Sequence, residues 1–231
     1  MLSSLTAGQL EELLLSRLAL PTVKAAARAW RRQFSPSLSY GRHFGPPSPS
    51  SKPAAVLIVL ERGRCAEEPS AWSIPLTVRP EHLPDHPGQI SLPGGRVELG
   101  ETHQQAAERE FCEELGPVPF TARVLASLEP INVYNSDYYV RPFLAISETT
   151  CLYRPCQREV ARVVHLPVEY LIDGSHFGRA GFSRGNVCWS ARTIQVGHDS
   201  VWGATAIMLS ELIAILAEEP SIFRDEFRSS P

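Results

Sequence analysis

Apolar and polar positions alternate along this chain at two spacings, one helical and one extended. Near the N-terminus Leu10, Leu13, Leu14 and Leu18 recur at helical intervals, and residues 25–30 continue in helix-favouring composition after Pro21. Residues 35–53 are rich in Ser, Pro and Gly and read as a connector, either lying over the domain or serving as a flexible linker. From Ala54 the pattern changes. AAVLIVLE is a short continuous apolar run, the mark of a buried strand. WSIPLTVR reads as a second strand, and Pro75 assigns it to an edge or a bulge. HLPDHPGQISLPGG is rich in turns and feeds Gly94 and Gly95. THQQAAEREFCEEL then reads as a helix stopped by Gly116 and Pro117. ARVLASLE, YYVRPFLAI, EVARVVHL and VCWSARTIQV are further strands, and PVEYLID is a short helix. GATAIMLSELIAILAEE is a closing helix, and the mixed tail after Pro220 carries no pattern. Strands and helices mix without a regular repeat, so the class is α+β. The divisions are a helical extension and connector over 1–52, a main domain over 53–218, and a tail over 219–231.

Composition narrows the function classes. The chain has 231 residues, 43% hydrophobic and 20% charged, which suffices for a full core without a metal or disulfide staple. A formal net charge of −3 argues against a general nucleic-acid binder. It also means that an anionic substrate needs local arginines or cations. The five cysteines are odd in number and form no C-x-x-C pair, which favours a reducing compartment, the cytoplasm, over a disulfide framework or a zinc site. Cys151 and Cys156 lack the second ligand pair of a metal site. No apolar run approaches the roughly 20 residues of a membrane span, and the start lacks the pattern of a secretory signal. Arg28, Arg31 and Arg32 read as one face of a helix. The pattern carries no signal of oligomeric state.

Residues 95–116 hold the chemistry. Glu110, Glu113 and Glu114 stand at i, i+3 and i+4, within an arc of about 100° on a helix. Ala107, Phe111 and Leu115 occupy the adjacent arc and anchor the helix in the core. Like charges on one face repel. A divalent cation with a preference for hard oxygen ligands, Mg²⁺ or Mn²⁺, turns that repulsion into a site. On an isolated helix such a cluster is usually a solvated acidic face. Here Gly95, Glu101, Arg109, Glu110, Glu113, Glu114 and Gly116 fit G-x5-E-x7-R-E-U-x-E-E-x-G-U, with U a bulky apolar residue. Phe111 fills the first U, and Pro117 stands at the last as the one departure. The chain therefore resembles the Nudix family. The resemblance implies an α/β/α sandwich on a mixed sheet, with this box as a loop–helix–loop. It also implies that Glu110, Glu113 and Glu114 ligate metal and that Arg109 ties back to Glu101. Glu98 and Glu159 match places where the family puts further carboxylates, and both are candidates to assist the metal. The implied reaction is hydrolysis of a diphosphate, whose negative oxygens must be neutralised before water attacks.

Upstream, LTVRPEHLPDHPGQISLPGG resembles a second signature, that of the coenzyme A pyrophosphatase branch. Leu76, Thr77, Arg79, His86, Gly88, Gln89, Ser91, Pro93, Gly94 and Gly95 fit it, while Pro75 and Leu92 depart. VWGATAIML resembles the helix opening of the same branch. Arg79 is a candidate to pair with a substrate phosphate, and Gly94 and Gly95 to let the backbone approach the substrate. Trp202 is predicted to pack the last helix against the sheet rather than to stack on a ligand. The resemblance implies coenzyme A or a derivative as substrate, with 4′-phosphopantetheine and adenosine 3′,5′-bisphosphate as products. Two alternatives stay open: a Nudix hydrolase of ADP-ribose or another nucleoside diphosphate derivative, and a ligand-sensing Nudix module without catalysis. The N-terminal helix is also a candidate docking element.

Overall fold

The computed structural model describes residues 2–62, 72–82, 87–116, 121–149 and 151–217. Cys65, His86, Pro117 and the tail lie outside them. Two helices open the chain, α1 (Ala7–Leu18) and α2 (Pro21–Phe34). Thr6 starts α1 with a capping box to Gln9, and Pro21 occupies the first turn of α2, where its missing N–H costs nothing. There follow β1 (Lys52–Arg62), β2 (Trp72–Val78), β3 (Ile90–Ser91), β4 (Gly94–Arg96) and α3 (His103–Leu115). Next come β5 (Arg123–Ser127), β6 (Ile131–Val133), β7 (Tyr138–Ser147), β8 (Arg162–Pro167) and α4 (Tyr170–Asp173). The described chain closes with β9 (Phe177–Arg184), β10 (Val187–Val196), β11 (Asp199–Val201) and α5 (Gly203–Leu216).

The main sheet is mixed. β1 runs parallel to β7 from Lys52 opposite Tyr138 to Glu61 opposite Ser147, and its other neighbours are antiparallel. On its second side β1 meets β2 only at Glu61 and Arg62, and meets β4 at residues 54–56. The two strands splay, and β4 fills the wedge. β1 is buried on both faces, which explains its unbroken apolar run. Ala55, Leu57 and Val59 pack on Ala106, Ala107, Phe111 and Leu115 of α3. Val56, Ile58 and Leu60 face the layer of α1, α2 and α5. That gives helix, sheet, helix: an α/β/α sandwich. Among the described residues no helix is long and apolar enough to cross a membrane.

Three sequence expectations change. Pro75 does not mark an edge strand, because β2 pairs with β8 through Pro75 opposite His165. The ladder to β1 ends at Ser73, so the side where proline lacks its N–H carries no register. The N-terminal stretch forms two helices that share one core with the sheet. Trp30 and Phe34 of α2 pack edge-on against Phe177, and Arg31 reaches Glu211 of α5 at 3.7 Å. VCWSARTIQV is β10 in full, but its antiparallel partner β9 was missed. The connector lies over the domain, one of its two expected arrangements, with His43 Nδ1 2.6 Å from the Asn132 carbonyl oxygen and the Asn132 amide donating to the Gly45 carbonyl at 2.6 Å.

Candidate active site

Helix α3 is set by its ends. Thr102 caps its start in a capping box with Gln105, and Gly116 closes it in the left-handed conformation with φ +55°. A side chain at Gly116 would also meet the Arg154 carbonyl oxygen at 2.6 Å. The buried stripe of Ala106, Ala107, Phe111 and Leu115 clamps the helix to the sheet. This turns the carboxylates toward the glycine turn of β4. Glu114 is buried, Glu110 half-buried and Glu113 exposed.

Arg109 organises the cluster. Its Nε and Nη2 donate to the two Glu101 oxygens at 2.8 and 3.1 Å, a bidentate fork between the two residues that the resemblance joined. Nη2 also donates to the Arg96 carbonyl at 3.0 Å. Nη1 donates to Glu110 at 2.9 Å and to Glu113 at 3.0 Å. One guanidinium thus binds loop, strand and helix together. It holds the Glu101 carboxyl below the usual carboxylate range, helped by the Glu98 amide, which donates to Glu101 at 3.0 Å. Glu98 itself stands in the exposed loop.

Electrostatics single out Glu114. Burial, then the charges of Glu110 and Glu159, push its pKa up to about 8, against Arg79 and the Gly94 amide. Its Oε2 is buried without a hydrogen-bond partner. Burial also raises Glu110, with Glu113 and Glu159 adding repulsion and Arg109 opposing. Glu159, on an exposed loop, therefore shares the field of Glu110 and Glu114 although 45 residues separate it from Glu114 in sequence. Arg79, at the end of β2, acts on the same group from the sheet. Gly94 has φ +154°, and a Cβ there would lie 2.3 Å from the Ala55 carbonyl oxygen. A Cβ at Gly95 would lie 2.4 Å from the Glu110 carboxyl, so Gly95 is required first as clearance for a carboxylate.

The donor set suits a hard divalent cation. It consists of carboxylate oxygens, one of them buried and unpartnered, in a field that disfavours their ionised form. Among the described residues no three such groups already stand at metal-holding positions. Arg109 holds both Glu110 and Glu113. The sequence missed the Arg96 carbonyl that completes the Arg109 cage, since a main-chain acceptor leaves no mark in residue type. It also missed the Thr77–Ser91 hydroxyl contact at 3.0 Å that ties β2 to β3 beside the site.

Comparison with known proteins bears on this geometry. Residues 51–170 match the family described as NUDIX domain. The chain is 30% identical over 168 residues to an uncharacterized Nudix hydrolase, NudL, of Enterobacter sp. (strain 638), spanning 72% of this chain and 84% of that protein. It is 30% identical over 139 residues to a probable nudix hydrolase of Schizosaccharomyces pombe, spanning 60% of this chain and 48% of that protein. Among solved structures, the MutT protein of Methanosarcina mazei Go1 aligns with a TM-score of 0.45 at 16% identity, over 72% of this chain and 96% of that one.

Proposed function

The chain belongs to the NUDIX domain family, and from that premise we propose that it hydrolyses coenzyme A or a derivative to 4′-phosphopantetheine and adenosine 3′,5′-bisphosphate. As a Nudix hydrolase it cuts a diphosphate. The choice of coenzyme A is supported by one observation above others. Two residues of the upstream signature, Arg79 and Gly94 through its amide, both act on Glu114 of the carboxylate helix.

In this reading Glu110, Glu113 and Glu114 hold Mg²⁺ or Mn²⁺, with Glu159 and Glu98 as further carboxylates beside it. When bound, the cation neutralises diphosphate oxygens and lowers the pKa of the attacking water. Arg79 pairs with a substrate phosphate. The Gly94–Gly95 turn lets the main chain approach the diphosphate. Arg109 and Glu101 keep loop and helix in register, so the carboxylates are placed before substrate arrives.

The test is a substrate panel with the full chain and Mg²⁺ or Mn²⁺, the products identified by mass. Coenzyme A should be cleaved to the two named products. Glu113→Gln and Glu114→Gln should each lower kcat by a few orders of magnitude, about 4 kcal/mol in the barrier, with folding intact. Arg79→Ala should mainly raise KM, about tenfold to a hundredfold for one lost charge-assisted contact. ADP-ribose cleaved far better than coenzyme A overturns the substrate. Near-wild-type turnover in both glutamine variants overturns the metal ligands. Binding without turnover across the whole panel would make the chain a sensing module.

A further inference from the structure

The hairpin of β9 and β10 carries aromatic rings that neither the core nor the carboxylate site uses. Phe182 stacks on Trp202 at 4.1 Å between centroids and 29° between planes, and on Trp189 at 6.0 Å and 20°. All three are only half-buried. The register sets their side. Phe182 lies opposite Trp189, Arg184 opposite Val187 and Ala180 opposite Ala191, so these share one face. The other face carries Phe177, Ile194 and Val196, which belong to the core with α2 and α5. The aromatic face therefore turns away from α2 and α5. The carboxylate helix lies on the side of the main sheet opposite those two helices.

A short chain of contacts links Trp202 to the glycine turn of the site. Trp202 immediately precedes α5, where Thr205 donates its hydroxyl to the Ile90 carbonyl at 3.2 Å. Ile90 pairs with Val78, the residue before Arg79, and β3 runs into the Gly94–Gly95 turn. Charge points the same way. Residues 177–192 hold Arg179, Arg184 and Arg192 and no acidic residue, in a chain of net charge −3. Arg184 is exposed on the aromatic face. Contiguous half-exposed rings beside a cation match a flat, electron-poor ring that carries phosphate.

We propose that the Trp202–Phe182–Trp189 stack is the platform for the nucleobase of the substrate, with Trp202 as the contacting ring and Arg184 drawing in its phosphates. This rests on the diphosphatase reading and adds to it the group that recognises the base. It also reassigns Trp202, which the sequence set to packing alone.

The first experiment needs neither cation nor turnover. Of the four tryptophans, Trp30 and Trp72 are 1% and 0% exposed, so a quench of emission by small ligands reports on Trp189 and Trp202. Adenosine 5′-monophosphate should quench saturably, and ribose 5-phosphate should not. The second experiment is kinetic. Trp202→Leu should raise KM for the nucleotide substrate roughly tenfold or more, the scale of one lost base–aromatic stack, with kcat within a few-fold. Trp202→Phe should restore most of the loss. Equal quenching by the two phosphates, or an unchanged KM in Trp202→Leu, overturns the platform and leaves the diphosphatase reading standing. Quenching by adenosine monophosphate in a protein that cleaves nothing removes that reading alone. Oligoadenylate bound far more tightly than the mononucleotide overturns the assignment in favour of single-stranded nucleic acid. If Trp202→Leu fails to fold, the wild-type titration still decides.

Discussion

Gly95 makes its steric demand directly on a carboxylate of the site. Its Cβ would stand 2.4 Å from the Glu110 carboxyl, the far end of a flexible side chain. Gly95→Ala should therefore cost little stability, less than about 1 kcal/mol, because Glu110 rotates aside. The same rotation breaks the 2.9 Å bond from Arg109 to Glu110 and moves a proposed metal ligand. We expect kcat to fall at least tenfold while the melting temperature shifts by only a few degrees. Unchanged kcat would mean that Glu110 need not occupy its observed position. At this scale the residue types of the site were readable and their reasons were not. Gly95 was read as a substrate contact, and its neighbour in space turns out to be a glutamate 15 positions away. Arg109 and Glu101 were expected as a pair because the Nudix resemblance implied it.

Between α2 and α5 the interface holds a buried ion pair, Arg31 and Glu211, 3.7 Å apart and each less than a tenth exposed. Burial pushes the Glu211 pKa up to about 7, with Arg31 and the Glu129 amide opposing. The folded value thus lies above the unfolded one, which starts from 4.5. Between these values the folded chain binds the extra proton. The stabilising contribution is complete below the unfolded value and is lost as pH rises through about 7. Urea melts should show wild type losing, from pH 5 to pH 8, on the order of 3 kcal/mol relative to Glu211→Gln. Parallel profiles for the two proteins would mean that Glu211 is ionised in the folded state throughout. Helices and long strands were legible as elements because each repeats one period. β4 and β9 were not. β4 is Gly94–Arg96, with no apolar period, and β9 intersperses glycine and arginine. Their strand character comes from main-chain pairing to β1 and β10.

Across the whole molecule, the N-terminal helices complete the core. Leu10, Leu14, Val23, Trp30 and Phe34 are buried in one cluster with β1 and α5. We expect a chain starting at Ser35 to expose the apolar face of α5 and to bind hydrophobic dye or aggregate. Trp30→Ala alone should cost about 3–5 kcal/mol, measured by urea unfolding. A soluble truncation with unchanged melting and activity would mean that the extension only docks on a domain that stands without it. What the amino-acid sequence determined by itself was the α+β class, from the order of its elements, and the carboxylate helix with its Gly116 stop, from spacing; the Arg109–Glu101 pair and the family chemistry came with the resemblance that the box carries. The tertiary structure alone decided that a Gly95 side chain would meet Glu110, that β4 fills the wedge between β1 and β2, and that Trp202 meets Phe182. The physical reason is range. Periodicity and capping act over a few residues and are written locally, whereas strand pairing, burial and the electrostatic field join residues that only the folded chain brings together.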